Sequence, residues 1–382
     1  MTILKAAVIG PGGRAKAHLS VLPKLSDRYR LVAVCDIDEA RAGAVASEMG
    51  VRAYTDLEDM LRREKPDVCL IAVQAEIHHT VARILAEHKV HILTETPIAI
   101  TVACADAMIR AAADNGVLLE VSENVRRWPH ERLKREIVAQ GRIGDVTGFY
   151  LSYTSGSYHG MGGIRAILGT EALRVTGEFP PEAHVSERGV IAWSGGIRGT
   201  YERNTERKNH WEIVGTMGAI RGRQLHLFEG DRTFDIVLET GGEGAGKTVR
   251  RACVHTDPEI SWDSPLQAYA LPQADDVAVA DAWCSLYDAV VDGKALDYGG
   301  ESGKRDIELL TAIRTSALAG GREISLPLTA ITDYEKQVHS AFGEIYGVDI
   351  LDLTPQHLRR KYDLPGRLRE LMFYGRPLEG NT

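Results

Sequence analysis

The chain has 382 residues, 44% of them hydrophobic, which is enough for a sizeable core divided among two or three domains. Lys and Arg number 45 against 53 Asp and Glu, and the net charge of -8 disfavours a nucleic acid or an anionic membrane as a partner. The five cysteines are scattered and lie mostly in apolar runs, which argues against disulfides and against a bound metal. No apolar stretch approaches the roughly 18 residues of a membrane span, and the first predicted strand begins almost at the N-terminus, so we expect a cytoplasmic protein.

The first predicted strand ends in a glycine-rich turn. Residues 5–15 read KAAVIGPGGRA, in which Gly10, Gly12 and Ala15 have G-x-G-x-x-A spacing between an apolar run and a helical stretch. Gly10 permits a tight turn, Gly12 lets the backbone approach a pyrophosphate, and Ala15 lets the helix pack closely on the sheet. The turn therefore predicts a bound dinucleotide, which Gly13 and Arg14 would also contact.

The second predicted strand, residues 30–36 (RLVAVCD), ends at an acidic side chain. Asp36 stands where a carboxylate accepts hydrogen bonds from the adenosine ribose of a dinucleotide, and Ile37 follows it into the same site. Since a carboxylate there repels the extra phosphate of NADP, NAD is the predicted cofactor, although the nearby Arg41 leaves NADP as an alternative. Asp36 could instead cap the next helix together with Glu39, or Asp38 could cap it.

Apolar runs then alternate with helical periodicity as far as residue 123, with strands expected at 67–73, 90–96 and 117–123. Strands that are apolar throughout indicate a doubly wound parallel sheet covered by helices on both faces. Ligands bind outside the carboxyl ends of the strands in such sheets. The residues expected along this edge are Val73, Gln74, His78, Glu95, Thr96, Glu123 and Asn124.

After a helix expected over 129–140, the pattern changes to strands of period 2 at 146–153, 190–193, 200–204, 211–215, 219–228 and 233–239. Gly-rich turns between them favour a largely antiparallel, open-faced sheet. Helical stretches at 277–291 and 303–320 would return to pack the two domains together. We therefore expect a Rossmann domain at 1–123, an α+β domain for substrate binding and oligomerisation at 124–330, and a C-terminal arm at 331–382.

Two further segments have a predicted role. Residues 241–248 read GGEGAGKT, which satisfies the P-loop pattern letter for letter, but the following VRRACVH alternates like a strand, whereas a phosphate loop must enter a helix. A flexible hairpin loop is therefore the favoured interpretation. The basic run at 358–362 either lies across the site of a partner subunit or solvates a helix, and the second is favoured.

Landmarks along the chain include the glycine turn, the strand end at Asp36, His78 placed 17 residues before Glu95, and the runs VSENVRR at 121–127, GRIGDV at 141–146, WEIVGTMG at 211–218 and GREISLPL at 321–328. In this order, from residue 3 to about 328, they resemble the Gfo/Idh/MocA family, named for glucose-fructose oxidoreductase, inositol dehydrogenase and a rhizopine catabolic protein. The resemblance implies an N-terminal NAD(P)-binding domain and a C-terminal open-faced sheet that carries a sugar or cyclitol site. It also implies homodimers or homotetramers formed through the other face of that sheet.

The chain departs from the family pattern at the groups that handle protons. The family usually has Glu-Lys-Pro at the end of the fifth strand, with the lysine acting on the oxidised hydroxyl, but this chain has Thr96 at the lysine position. An Asp and a His four residues apart are also usual on the first long helix of the second domain. Ile167 and Glu171 stand at those positions here.

Removal of hydride from a secondary alcohol requires a base at the hydroxyl, so another group must replace the lysine. The loop expected at 155–160 offers His159, whose solution pKa is near neutral, and Tyr158, which could act if a neighbouring cation lowered its pKa. His159 could instead be a solvated loop histidine, and Tyr158 an aromatic lid residue. Thr96 could hydrogen-bond the nicotinamide or the sugar, and Glu171 could complete a relay. The candidates for holding polar substrate groups are Arg126, Arg127, Arg165 and His210.

Three functions remain open. The first is an NAD-dependent oxidoreductase that acts on a secondary hydroxyl of a sugar, glycoside or cyclitol. The second is a redox-neutral lyase, hydrolase or epimerase that retains NAD and works through a transient keto sugar. The third is a non-catalytic binding protein that senses nucleotide.

Overall fold

The structure, a computed structural model, describes residues 2–362 together with Arg369 and Leu371. Its first domain is a six-stranded parallel sheet in the order β3-β2-β1-β4-β5-β6, which confirms the predicted Rossmann architecture. The strands are β1 Leu4–Ile9, β2 Tyr29–Cys35, β3 Arg52–Tyr54, β4 Val68–Ile71, β5 His91–Thr94 and β6 Leu119–Val121. The helices between them are α1 Ala15–Val21, α2 Glu39–Met49, α3 Leu57–Glu64, α4 His78–Glu87 and α5 Val102–Asn115.

Local capping fixes where the helices behind the sheet edge begin. The Asp38 side chain accepts a hydrogen bond from the Arg41 amide and caps α2, and Asp56 caps α3 through the Asp59 amide. Asp36 therefore does not cap α2 and remains at the end of β2, as the ribose-binding hypothesis requires. Every residue of β4 is buried, in keeping with a strand covered on both faces.

The second domain is a nine-stranded mixed sheet in the order β14-β13-β12-β11-β7-β10-β9-β8-β18, in which only the pairing of β10 with β7 is parallel among the described residues. Its strands are β7 Val146–Ser152, β8 Ala172–Glu178, β9 Val185–Trp193, β10 Arg198–Asn204, β11 His210–Gly215, β12 Gly218–Arg221, β13 Gln224–Leu227, β14 Arg232–Asp235 and β18 Ile324–Ser325. A smaller sheet contains β15 Val237–Gly241, β16 Thr248–Val254 and β17 Ile260–Asp263. The helices are α6 Pro129–Ala139, α7 Ser157–Leu168, α8 Ala274–Asp292 and α9 Gly300–Leu318.

The helices α8 and α9 return to the first domain as expected. Helix α8 packs on α1, with Trp283 fully buried beside Tyr29, and α9 packs between α5 and β8. One face of the large sheet is thereby covered by helices. The other face carries half-buried charged pairs such as Arg188 with Glu202, whose Nε and Oε1 atoms are 2.6 Å apart.

Three details of the predicted second half are corrected, and one is confirmed. Residues 219–228 form a hairpin, β12 and β13, rather than one strand, and 233–239 is divided between two sheets. Helix α7 begins at Ser157, so Tyr158 and His159 lie in its first turn and not in a loop. The P-loop-like run 241–248 joins the antiparallel strands β15 and β16, which confirms a hairpin connection.

The C-terminal arm begins with α10, Asp333–Tyr346, and continues through single turns at Ile350–Asp352 and Pro355–Arg359. Val338 and Phe342 of α10 are fully buried in the core of the Rossmann domain. The basic run at 358–362 lies beside the nucleotide cleft of its own chain, and the residues after Tyr362 lie almost entirely outside the described part. No helix in the described ranges combines the length and the apolar character that crossing a bilayer requires.

Candidate functional site

A cleft opens at the carboxyl ends of β1, β2 and β4, with a cavity of about 540 Å³. Gly10 shapes its floor with a φ of +78°, and a Cβ on Gly10 would lie 2.7 Å from a Val73 methyl and 2.8 Å from the Ala72 carbonyl oxygen. A Cβ on Gly12 would instead meet no atom within 4 Å, so the backbone faces open space there. Ala15 begins α1 without a side-chain cap. These features fit a dinucleotide whose pyrophosphate lies against the turn.

Asp36 lies at the adenosine half of this cleft, where Ile37, Val73 and Gln74 also line the cavity. The Asp36 carboxylate is buried and accepts hydrogen bonds from the Asp38 amide and from Arg41 Nη1, both at 2.9 Å. Each carboxylate oxygen has two lone pairs, so both can still accept a ribose hydroxyl. Because Arg41 is already paired with Asp36, the arrangement fits NAD better than NADP.

Along the same edge of the sheet, Glu95 follows β5 and is held by Arg14, which precedes α1, and by His18 of α1. Its Oε1 lies 2.9 Å from Arg14 Nε and 2.6 Å from His18 Nε2. Burial favours the neutral carboxyl, but His18 and Arg14 outweigh it and lower the pKa of Glu95. Because Trp283 Nε1 donates to His18 Nδ1 at 3.0 Å, the Nε2 atom carries the proton that His18 donates to Glu95.

Arg14 also connects this edge to the second domain. Its Nη1 donates to Asp275 at 2.6 Å, and Asn124 Nδ2 donates to the other oxygen of that carboxylate at 2.6 Å. Asp275 lies in the first turn of α8. Sequence analysis named Arg14 and Asn124 but missed His18 and Asp275. The only sequence signal for His18 is its position four residues after Arg14, which places both on one face of α1.

His78 supports the cleft from below. It is 1% exposed, and its ring nitrogens lie 3.2 Å from the Ile98 carbonyl and 3.1 Å from the Val73 carbonyl. Burial is the largest effect on its pKa and lowers it, which favours the neutral ring. His78 therefore holds the backbone that lines the cleft.

The proton-handling candidates meet beside the end of β5. His159 Nδ1 lies 2.7 Å and 2.9 Å from the two carboxylate oxygens of Glu123, whose side chain is 1% exposed. Burial opposes the charged imidazole, but the Glu123 carboxylate prevails and raises the pKa of His159. Because Nδ1 donates to Glu123, Nε2 is left as the basic nitrogen, and it has no hydrogen-bond partner within the described part of the chain.

Tyr158 and Thr96 complete this corner. The Tyr158 ring lies 4.5 Å from that of His159, and its side chain interacts with that of Thr96. Burial and then Glu123 raise the pKa of Tyr158, the opposite of what a phenolate base requires. The arrangement therefore favours His159 over Tyr158 as the proton acceptor.

The remaining predicted residues are engaged elsewhere. Arg165 donates to Asp306 at 2.6 Å and to both oxygens of Glu171, which lies after the end of α7. Arg126 and Arg127 are buried and paired with carboxylates such as Asp297 and Asp281. Their guanidinium groups hold the domain junction together, so the structure gives them no open surface for a substrate.

His210 is separated from the corner by the large sheet. Consecutive residues of a strand point to opposite faces, and the next residue, Trp211, packs on Gly163 of α7. His210 accordingly faces the uncovered side of the sheet, where its Nε2 is 3.0 Å from Glu212 Oε1. His210 is thus placed away from the corner formed by His159 and Glu123.

Fold and cleft together define a protein with a Rossmann dinucleotide site at the carboxyl edge of its parallel sheet. Residues 4–123 match the model of GFO_IDH_MocA, described as an oxidoreductase family with an NAD-binding Rossmann fold. This match covers less than half of the chain and agrees with the resemblance seen in the sequence.

Individual relatives align with little more than a third of the chain. A D-apiose dehydrogenase from Paraburkholderia graminis is 34% identical over 141 residues, 37% of this chain and 37% of the relative. An inositol 2-dehydrogenase from Salmonella typhimurium is 29% identical over 144 residues, 37% of this chain and 43% of the relative. The chain thus spans less than half the length of these curated relatives.

The whole two-domain fold has solved counterparts. The crystal structure of an NAD binding oxidoreductase from Klebsiella pneumoniae superposes with a TM-score of 0.69 at 19% identity. The match covers 100% of that chain and 86% of this one. The fold is therefore shared over most of this chain.

Proposed function

We propose that the protein is an NAD-dependent oxidoreductase that transfers hydride between a secondary hydroxyl of a sugar, glycoside or cyclitol and the cofactor, with His159 as the proton-transfer group. The observation that carries the proposal is the pairing of His159 Nδ1 with Glu123 beside Glu95 and Thr96, at the edge where the nicotinamide half of a dinucleotide is expected. The dehydrogenases among the sequence relatives support a carbohydrate or cyclitol as the substrate class.

In this proposal NAD, when bound, supplies the acceptor for the hydride that leaves the substrate carbon. His159 Nε2 removes the hydroxyl proton, and Glu123 keeps Nδ1 protonated and stabilises the resulting imidazolium. Thr96 and Tyr158 stay neutral and offer hydrogen bonds to the substrate. Arg14, His18 and Glu95 form a fixed polar wall that orients the cofactor.

The test is turnover by the purified chain on a panel of polyols, aldoses and glycosides, followed through the absorbance of NADH. NADH formation that H159Q abolishes is the expected result. The control is H210Q, because His210 has its own glutamate partner on the opposite face of the sheet. Turnover that H159Q leaves intact contradicts the assignment, and binding of NAD with no turnover of any substrate favours a sensor.

A second candidate is a redox-neutral enzyme that retains its cofactor and forms a transient keto sugar. One observation favours it: residues 355–361 of the C-terminal arm line the outer side of the nucleotide cavity. This candidate is distinguished by product formation without net NADH and by cofactor that remains with the protein through gel filtration.

We further propose that copies of the chain assemble as dimers or tetramers through the uncovered face of the large sheet, and that the protein acts in the cytoplasm. The half-buried charges on that face and the exposed Val190 support an interface there. Light scattering coupled to gel filtration gives the mass directly, and a monomer at working concentration contradicts the assembly. All five cysteines are free and buried, which fits a reducing compartment.

A further inference from the structure

We propose that the C-terminal arm supplies part of the cofactor site itself, with residues 355–361 closing the adenosine half of the cleft and slowing release of the bound dinucleotide. The inference rests on the proposed use of NAD but not on any reaction that follows binding. It assigns binding residues outside the Rossmann domain, which is where the glycine turn and Asp36 lie.

The cavity has two walls of different origin. Gly10, Asp36 and Val73 form the inner wall, and Pro355, Leu358 and Arg359 form part of the outer wall. Between them the lining is largely apolar, with Leu57, Ile77, Val81 and Ile84 contributed by α3, α4 and the turn before α4. An apolar slot next to a carboxylate suits the flat adenine ring and the hydroxyls of its ribose.

The arm is anchored firmly before it reaches the cavity. Glu335 in the first turn of α10 accepts a hydrogen bond from the Ala103 amide at 3.1 Å, and His339 Nε2 is 3.1 Å from Thr101 Oγ1. Further along, the Ile350 carbonyl lies 2.8 Å from His79 Nε2, and the Leu353 carbonyl accepts from Arg83 Nη2 at 2.8 Å. Since Ile350 and Leu353 are also buried, the turn that follows is held in position over the cleft.

The mouth of the cavity is crossed by one contact that can open. Arg359 Nη2 on the arm lies 2.9 Å from Oδ2 of Asp56, the residue that caps α3. The side chains are 74% and 38% exposed, and exposed pairs of this kind contribute only about 0–1 kcal/mol. The pair can therefore separate to admit a nucleotide, whereas the half-buried Leu358 remains as an apolar surface against the bound adenine.

Part of this chain has no counterpart in the solved structure of the same fold. The Klebsiella pneumoniae oxidoreductase is matched over 100% of its own length while 86% of this chain is covered, and the uncovered share is about the size of the arm.

The experiment measures binding and dissociation of two probes, NAD⁺ and ADP-ribose, with the full-length protein. Leu358→Ala removes apolar contact with the adenine, so both probes should bind roughly five- to tenfold more weakly. Arg359→Gln should raise the dissociation rate of NAD⁺ by opening the mouth. The matched controls are Leu351→Ala, an exposed leucine of the same arm, and Arg62→Gln, an exposed arginine that pairs with Asp59 on α3; both should leave binding unchanged.

Equal loss for NAD⁺ and ADP-ribose places the effect at the adenosine half, since ADP-ribose lacks nicotinamide. Wild-type affinity in Leu358→Ala overturns the proposal, as does tighter binding, which would mean that the arm competes with the nucleotide. Folding of each variant is checked by thermal unfolding. If the arm variants weaken binding but no carbohydrate is oxidised, the proposed reaction fails while the arm's role stands.

Discussion

Replacing His159 by glutamine tests the proton-transfer proposal most directly. The imidazole is 15% exposed and donates to a carboxylate that is 1% exposed, so water cannot easily take its place when it is removed. A positioned general base contributes about 10²–10⁴ in rate, which corresponds to about 3–5 kcal/mol of activation free energy. We therefore expect H159Q to lose kcat by that factor while NAD⁺ still binds, because the cavity that fits the adenosine half does not include His159.

Glu123→Gln adds a test of pH dependence. Burial lowers the pKa of His159 and the Glu123 carboxylate raises it, with the carboxylate prevailing, so removing the charge should lower the pKa. Alcohol oxidation requires the neutral base, and its rate rises as pH passes upward through that pKa. The acid limb of the kcat/KM profile should therefore move to lower pH in E123Q.

The same pair should affect stability with a definite sign. A histidine whose pKa is raised by folding stabilises the protein below its unfolded pKa of about 6.5, and this contribution is lost as pH rises through the folded value. The difference in unfolding free energy between wild type and E123Q should thus be larger at about pH 6, below the unfolded pKa of roughly 6.5, than at about pH 9. Urea denaturation at the two pH values measures it.

The control pair for both tests is His210 with Glu212, whose Nε2 and Oε1 atoms are 3.0 Å apart on the uncovered face of the sheet. H210Q and E212Q should leave kcat and the acid limb in place. The reasoning is refuted if H159Q turns over as fast as H210Q, or if the acid limb of E123Q stays still or moves to higher pH.

Three further predictions concern the cleft and the core. Gly10→Ala should abolish NAD⁺ binding and lower the thermal midpoint, since its Cβ would lie 2.7–2.9 Å from atoms of residues 72 and 73. The control is Gly50→Ala, where φ is +66° and a Cβ would meet nothing within 4 Å. This control should lose only the roughly 1–2 kcal/mol of stability that a left-handed backbone costs a residue with a Cβ. Asp36→Ser should remove the repulsion of a 2′-phosphate and release Arg41, shifting the ratio of kcat/KM values toward NADP⁺; an unchanged ratio would contradict the role of Asp36. Lys134→Met should lower the free energy of unfolding in urea by about 3–5 kcal/mol, because it leaves the buried Glu131 carboxyl without the ammonium 2.8 Å away. The double variant Lys134→Met, Glu131→Leu should recover most of that loss.

The Rossmann domain could be predicted from the sequence because its signals are local. Most of its strands are apolar runs, the helices have their own period, and the glycine turn stands at the one place where a dinucleotide needs it. The short and mostly exposed strand β3 was not predicted. The carboxyl ends of parallel strands share an edge, so Asp36, Glu95 and Asn124 could be grouped without coordinates. The structure confirms the parallel sheet on which this grouping depends.

The second domain was harder to predict because period 2 does not reveal where a strand changes partner. The run 219–228 has the alternation of one long strand, yet it turns back at Gly222, which has a φ of +55°. The loop expected at 155–160 contains the first turn of α7 because Gly156, with a φ of +96°, permits the entry. The sequence pattern therefore allowed a solvated loop histidine, whereas His159 is held in the helix against Glu123.

Hydrogen-bond partners that are distant in sequence could not be predicted. His18 and Glu95 are separated by 77 residues, and Arg14 and Asp275 by 261. Nothing in the sequence pattern of α8 indicates that the aspartate in its first turn bridges to the glycine turn of the first domain. The position of the run 358–362 beside the cleft could not be predicted for the same reason, since its neighbours there belong to α3 and α4 rather than to the arm.

The resemblance seen in the sequence implies a lysine where this chain has Thr96, and the proposed base is positioned differently from such a lysine. A lysine at the end of β5 would belong to the same rigid sheet as the cofactor, whereas His159 is presented by α7 of the second domain. The distance from His159 to the nicotinamide is then set by how α7 is fixed to the Rossmann side. Arg165 provides that connection through Asp306 and the Tyr298 hydroxyl, and Tyr298 pairs through its backbone with Val121 of β6. Burial is the main reason that the pKa of Asp306 rises to about 7. As pH falls below neutrality, Asp306 becomes protonated and its ion pair with Arg165 is lost. His159 should then be held less firmly in position.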